Sequence, residues 1–475
     1  MRKFNYLAGL ILGLLFFSCT DFLEDYPKDQ VYPASISDFD ELLVGNAYQS
    51  TSERDIGIWI NLMADNAKFQ TSGSQWTECK FYWWEPEPDT KSTYTALYKR
   101  ISVCNAILDE IDDFSAEGEE YRKVKGQALF LRAANYYWLV NLYGKPYTKE
   151  HAATDLGVFL KLSSVIEDQK FSRNSVAEVY DAILSDLENA VALLKGLDMG
   201  TNYRAGEMAA RMLLARVHLY MHDWQKVVDQ CDTILMNKKY TLIDYNAYAG
   251  TFNCISGKSP EMFFTSGTHS YTGTIFLPFV SYYFSGDSEF LATFASGDRR
   301  LKAYFSNYGR TGCISKRTND NDGKASDFFT LRLPEAYLSR AEALAILGKE
   351  AEAIADVQKL REKRYTTGTL DEINLSGEQL VNFIREERRK EFCFEGQRWF
   401  DLRRMAVSPK YPFQKEIVHA YYIKGDIVGN RVLRKYDEEP EFYVLPLPYD
   451  VIKVHGGVME QNDAREQKEP NDLNL

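Results

Sequence analysis

Residues 205–237 read AGEMAARMLLARVHLYM, then HD, then WQKVVDQCDTILMN, and this stretch decides the fold class. Apolar side chains recur at three- and four-residue spacing on both sides of His222-Asp223, which predicts a two-helix hairpin with a very short turn. The construction returns at 334–364. Pro334 suits a first helical position, EAYLSRAEALAIL forms one helix, Gly348 makes the turn, and EAEAIADVQKLREKR forms the second. An arginine followed by a small or branched residue recurs on the first helices, at Arg132, Arg216 and Arg340. The spacing between copies varies, so the pattern predicts helix hairpins of tetratricopeptide type separated by insertions, not an uninterrupted array. Stacked hairpins bury one another's apolar faces and leave a curved, mainly α scaffold.

Working outward, segment 93–113 places Tyr94, Leu97, Ile101, Ile107 and Ile111 on one helical face, and 126–143 is apolar almost all round, as a helix between neighbours must be. Ser175-x-x-Glu178 is a capping box opening a helix striped by Val176, Val179, Ile183 and Leu187. Hairpins are thus expected within 93–243 and 334–404. Between them, 244–330 has no sustained period and holds many of the chain's glycines; irregular insertions of this length tend to carry function. Residues 411–455 look mixed, with extended stretches at 420–423 and 442–446. The reading is one domain over 34–460, a few short strands, and a loose polar tail over 461–475.

The first residues are an address. Arg2 and Lys3 precede YLAGLILGLLFF (6–17) and Ser18-Cys19. Twelve helical residues span ~18 Å, short of a ~30 Å hydrocarbon core, which is the layout of a signal peptide over 1–18. Cys19 is the expected lipidation site, followed by a polar tether over 19–33; Phe16 stands where such boxes usually carry Leu. Cleavage removes two positive charges and no acid, lowering the net charge from −12 to −14. So acidic a chain lacks the footprint of a nucleic-acid binder. The remaining six cysteines form no C-x-x-C pair, and Cys104, Cys231 and Cys393 fall within helical patterns as small core residues.

Candidates for chemistry are few. His218 and His222 have the spacing of a shared metal, but no Glu follows His218 and His222 falls at the turn. Segment 318–323 (TNDNDG) resembles a calcium loop without its first and twelfth carboxylates. No metal or other cofactor is expected. In 376–404, SGEQLVNFIREERRKEFCFEGQRWFDLRR, Ser376-x-x-Gln379 is read as a cap, and Glu387 and Glu391 lie on the inward face. They could form a glycosidase pair. The six arginines of 385–404 favour ion pairs that lock helix to helix, with Arg388, Arg398, Arg403 or Arg404 as expected partners. What remains is aromatic. Trp76, Trp83 and Trp84 stand before Glu85-Pro86-Glu87-Pro88, and Tyr271, Tyr282 and Tyr283 lie in the glycine-rich insertion. Rings on loops make platforms for sugar faces, so these six are the candidate ligand residues.

Taken in order, CTDFLE (19–24), YKRISVCN (98–105), KGQALFLRA (125–133), YLSRAEA (337–343), EERRKEFCFEGQRWFDLR (386–403) and VLPLP (444–448) resemble the RagB/SusD family of nutrient-binding outer-membrane lipoproteins. The resemblance implies a tetratricopeptide-containing α-fold at the cell surface. It also implies a SusC-type TonB-dependent barrel as partner, and usually an oligosaccharide as ligand, handed on uncleaved. Peptide binding, a glycoside hydrolase using a Glu/Asp pair, and a purely protein-binding scaffold are the alternatives. No family motif transfers a ligand contact residue by residue.

Overall fold

The structure, a computed structural model, describes residues 33–49, 55–69, 79–247, 255–265, 284–306, 313–314, 316, 325–326, 329–423 and 426–471. The signal peptide, Cys19, nearly all of the tether and the 318–323 turn lie outside them.

Nine helices form the framework: α1 Lys91–Glu110, α2 Glu119–Tyr143, α3 Val176–Leu194, α4 Glu207–Tyr220, α5 Trp224–Met236, α6 Leu333–Ile346, α7 Glu350–Arg361, α8 Gly377–Glu391 and α9 Arg398–Ala406. Chain neighbours pack as hairpins do, α1 on α2, α2 on α3, α3 on α4, α4 on α5 and α6 on α7, while α6 also meets α5 and α8. The mainly α superhelix expected from the periodicity is the fold found. Among the described residues no helix is long and apolar enough to cross a membrane.

Local chemistry explains the helix ends. Ser175 and Glu178 make both halves of the expected capping box: Ser175 N donates to Glu178 Oε2 at 2.7 Å and Glu178 N to Ser175 Oγ at 3.2 Å. Ser376 does not cap α8 with its side chain. Instead Gly377 N donates to Glu350 Oε1 at 2.7 Å, so the capping acceptor comes from the preceding helix. Gly348 turns the second hairpin at φ +83°, and His222 holds the equivalent place in the first at φ +62°. A left-handed residue is needed there, and a buried histidine supplies it at a conformational cost that glycine avoids. Gly126 is required by closeness, since a Cβ there would lie 2.7 Å from Leu194 Cγ across the α2–α3 contact.

The recurring arginines do one job in each copy. Arg132 forks onto Asp186 of α3 with two bonds of 2.7 Å, and Arg340 onto Asp356 of α7 at 2.7 and 2.6 Å. Arg216 forks onto Glu335 of α6, both bonds 2.6 Å. Paired this way, planar guanidiniums fix the rotation of one helix against the next as well as their separation.

Strands are few: β1 Ala67–Phe69, β2 Met262–Thr265, β3 Phe284–Gly286, β4 Phe305–Ser306, β5 Cys313–Ile314, β6 Thr330–Arg332, β7 Ile417–Ile423 and β8 Asp426–Leu433. They pair antiparallel in twos, β1–β3, β2–β6, β4–β5 and β7–β8. The extended stretch expected at 420–423 lies within β7. The one expected at 442–446 opens as a 3₁₀ turn, Pro440–Tyr443, before Val444 becomes extended. Cys104, Cys231 and Cys393 are buried, as small core residues would be, and so is Cys79.

Candidate functional site

The inward carboxylates of α8 are consumed by ion pairs. Glu387 accepts from Arg300 at 2.7 Å and lies 3.3 Å from Lys390. Glu391 takes Arg332 at 2.6 Å and Arg364 at 3.0 Å, and Glu395 takes Arg332 at 2.7 Å and Lys316 at 2.5 Å. Burial alone would raise these carboxyls. The cations outweigh it, and Glu391 is held well below the usual range by Arg364 and Arg332, with Glu387 and Glu395 lowered by Arg300 and Arg332 respectively. A glycosidase acid must hold its proton near neutral pH, so neither Glu387 nor Glu391 is suited to the part.

Their partners differ from those expected. Arg388 serves Asp401 and Glu335, Arg404 serves Glu342 and Asp401, Arg398 serves Asp65, and Arg403 donates to the carbonyls of Asn141 and Gly144. Arg300 and Arg332, which bind Glu387 and Glu391, and Lys316, which binds Glu395 just past α8, come from the 244–330 insertion or the strand just after it. The signature helix thus keys the insertion to the helical stack, a relation of distant residues that no local spacing shows. His218 and His222 are both buried, and burial lowers His222 to about 3. Among the described residues no group of three or more His, Cys, Asp and Glu could hold a metal ion.

Two of the segments that carry candidate rings adjoin one ribbon. β1 runs Ala67 to Phe69 and leads into 70–78, which carries Trp76. β3 is entered from 266–283, which carries Tyr271, Tyr282 and Tyr283. The register is Ala67↔Gly286, Lys68↔Ser285 and Phe69↔Phe284, so both segments join the ribbon at its Phe69–Phe284 end. Trp76, Tyr271, Tyr282 and Tyr283 themselves lie outside the described residues.

Trp83 and Trp84 are placed differently, and as ligand platforms they need correcting. Trp84 is 1% exposed; its ring stacks on His419 at 4.3 Å and its Nε1 donates to Met63 O at 3.2 Å. His419 is stacked on its other side by Tyr82 at 3.9 Å. Trp83 is also buried, with Nε1 donating to Ala420 O at 3.0 Å and its face against the edge of Tyr421. Both rings fasten the β7–β8 hairpin to the 79–84 segment. In sequence an aromatic run before two prolines looks the same whether it faces a ligand or a hairpin hundreds of residues away.

Sequence reasoning missed a cleft of about 510 Å³ where Pro86–Lys91, Pro446–Asp450 and Gln461–Arg465 meet. Its signal was present as two proline pairs, Pro86 with Pro88 and Pro446 with Pro448, but nothing local said that they converge. The supposed tail forms one wall. Arg465 is buried and donates to Glu441 O, Phe442 O and Val444 O at 3.1, 3.2 and 2.6 Å; Asn462 bridges Tyr143 O and Leu445 O at 2.9 and 2.7 Å. Asn471 pairs with Asn430 of β8. Residues 461–471 are docked, because their polar side chains satisfy backbone carbonyls that would otherwise be orphaned. Beside the cleft, the helix Tyr449–Val454 buries none of its residues, leaving Tyr449 76% and Val454 73% exposed.

A helix-hairpin superhelix with an insertion keyed to its signature helix defines the class as a helical-repeat scaffold. Residues 21–219 match a family described as starch-binding and associating with the outer membrane, and residues 296–464 match the SusD family. SusD-like protein P2 of Formosa agariphila is 24% identical, the match covering 97% of this chain and 99% of that one. The starch-binding protein SusD of Bacteroides thetaiotaomicron is 23% identical over 69% of this chain and 72% of its own. A crystal structure of a SusD superfamily protein from Bacteroides thetaiotaomicron superposes with a TM-score of 0.74 at 21% identity, over 90% of this chain and 100% of that one. The chain belongs to the RagB/SusD family, carbohydrate-binding proteins associated with the outer membrane.

Proposed function

We propose that the protein captures oligosaccharide at the cell surface, held there by a lipid on Cys19, and passes it uncleaved to a SusC-type TonB-dependent barrel. The observation that carries the capture step is the Phe69–Phe284 pairing. Both the segment of Trp76 and the segment of Tyr271, Tyr282 and Tyr283 adjoin that end of the ribbon in the chain, which supports a shared aromatic surface for sugar faces. The B. thetaiotaomicron relative named for starch binding supports a glycan over a peptide. Hand-over requires moderate affinity, a Kd from roughly micromolar to millimolar, which is ~4–8 kcal/mol.

The helix Tyr449–Val454 is the surface we assign to the barrel. An exposed tyrosine and valine on a helix with no fully buried residue mark contact with another protein. Ion pairing of Glu387 and Glu391 weighs against the hydrolase reading.

Incubation with a panel of soluble polysaccharides tests the capture step. Retention with no reducing ends released is the expected result. Release of products would establish a hydrolase, and absence of retention would leave a protein-binding scaffold. Co-purification from outer membranes, compared between wild type and Tyr449→Asp, tests the partner; equal yields of barrel would remove this helix from the interface.

A further inference from the structure

At the base of the β1–β3 ribbon one carboxylate meets three cations. Asp65 Oδ1 accepts from Arg398 Nε at 2.7 Å and Oδ2 from Arg398 Nη2 at 2.9 Å. Oδ2 also lies 3.0 Å from Lys415 Nζ and 3.0 Å from Arg389 Nη2. Arg389 further donates to Asp65 O at 3.0 Å and to Asn66 Oδ1 at 2.8 Å. Asn66 O in turn accepts from Asp287 N at 2.8 Å, and Asp287 caps the helix Ser288–Ala292 that follows β3. Two adjacent residues therefore tie both ends of the ribbon base to α8, to α9 and to the segment leading into β7.

We infer that Asp65 is a positioning residue that sets the pose of the β1–β3 ribbon against the signature helices, and through it the Phe69–Phe284 end where the aromatic segments attach. Its consequence for ligand binding rests on the capture reading above; its consequence for the ribbon does not. A ribbon of three residue pairs has no core of its own, so its pose depends on what grips its base. α8 and α9 do not share that dependence, since Arg388–Asp401 and Arg404–Glu342 hold them independently. With Asp65 neutralised, Lys415 would lose its ion pair, and the pairs left to Arg389 and Arg398 would be with Glu386, which is 38% exposed and 3.4 Å from Arg389 and 3.9 Å from Arg398. Repulsion among three cations would then push apart the elements that carry them, and the ribbon base lies between those elements.

Hydrogen-exchange mass spectrometry on the full chain tests this without a ligand. In Asp65→Asn the amides of 66–69 and 284–287 are expected to exchange at least tenfold faster, with α2 and α6 unchanged, and Asp65→Glu to recover most of the protection. Unchanged exchange in the ribbon would overturn the inference. So would a uniform rise that includes α2 and α6, which a merely structural role produces. Should Asp65→Asn fail to fold, Lys415→Met removes one of the three cations, and the same local pattern at smaller amplitude is required. The binding consequence is read separately on whichever polysaccharide of the panel wild type retains. Loss of retention in Asp65→Asn supports the link, and full retention despite a loosened ribbon breaks it. If wild type retains none, the capture reading fails while the exchange result still decides the role of Asp65.

Discussion

Phe69 and Phe284 face each other across a two-stranded ribbon, although more than two hundred residues separate them in the chain. That pairing sets the chain positions where the segments carrying Trp76 and Tyr271, Tyr282 and Tyr283 leave the ribbon, while Trp83 and Trp84 are buried against β7.

Trp76→Ala is expected to weaken polysaccharide retention with little change in thermal stability. Trp84→Ala should do the reverse, losing about 3–5 kcal/mol because a buried ring and its stack on His419 are removed together. Denaturant melts run beside affinity electrophoresis separate the two. A stable Trp84→Ala protein that no longer binds would return that ring to the ligand surface.

Glu391→Gln should cost on the order of 3–5 kcal/mol, the usual penalty for removing one partner of a buried pair and leaving its cations uncompensated. Urea unfolding measures it. A variant as stable as wild type would mean that the pair does not hold the insertion to α8.

His419 makes stability depend on pH. Burial is the leading cause that lowers its pKa from 6.5 to about 4, and its Nδ1 lies 2.6 Å from Tyr82 O, so in the neutral ring that nitrogen carries the proton and donates. The unfolded chain takes up a proton near pH 6.5 and the folded chain only near pH 4. Stability present above 6.5 is therefore lost as pH falls between those values, by roughly 3 kcal/mol. The acids Glu391 and Asp65 are depressed, so their contribution starts to be lost only when pH falls into the ordinary carboxylate range at the lower edge of that window, and the loss continues below it. In His419→Phe the slope between pH 6.5 and 4 should flatten while the stack survives; an unchanged slope would assign it to other groups.

Arg465→Ala should lower the melting temperature, since it strips donors from three buried carbonyls of the 441–444 turn. Differential scanning calorimetry reads the change. A melt equal to wild type would restore residues 461–471 to the status of a loose tail.

Helical hairpins, their turns at His222 and Gly348, and the Ser175 capping box were all legible from residue order. Each is a local matter: period, cap and turn chemistry act over a few neighbouring positions. The framework role of Glu387 and Glu391 was legible too, because six arginines lie within twenty residues of them. Which cations those acids meet was not legible. Arg300, Arg332 and Arg364 arrive from elsewhere in the chain, and ion pairing in a core depends on distance in space. The same limit governs the aromatic residues. Composition marks Trp76, Trp83 and Trp84 alike, and only the packing of β7–β8 on the 79–84 segment buries two of them. The docked C-terminal segment follows the same logic, since its polar side chains look like a solvated tail until the carbonyls they satisfy are brought beside them. Sequence alone determined the helical repeat and hence the scaffold; the tertiary structure decided which polar and aromatic groups that scaffold spends on itself.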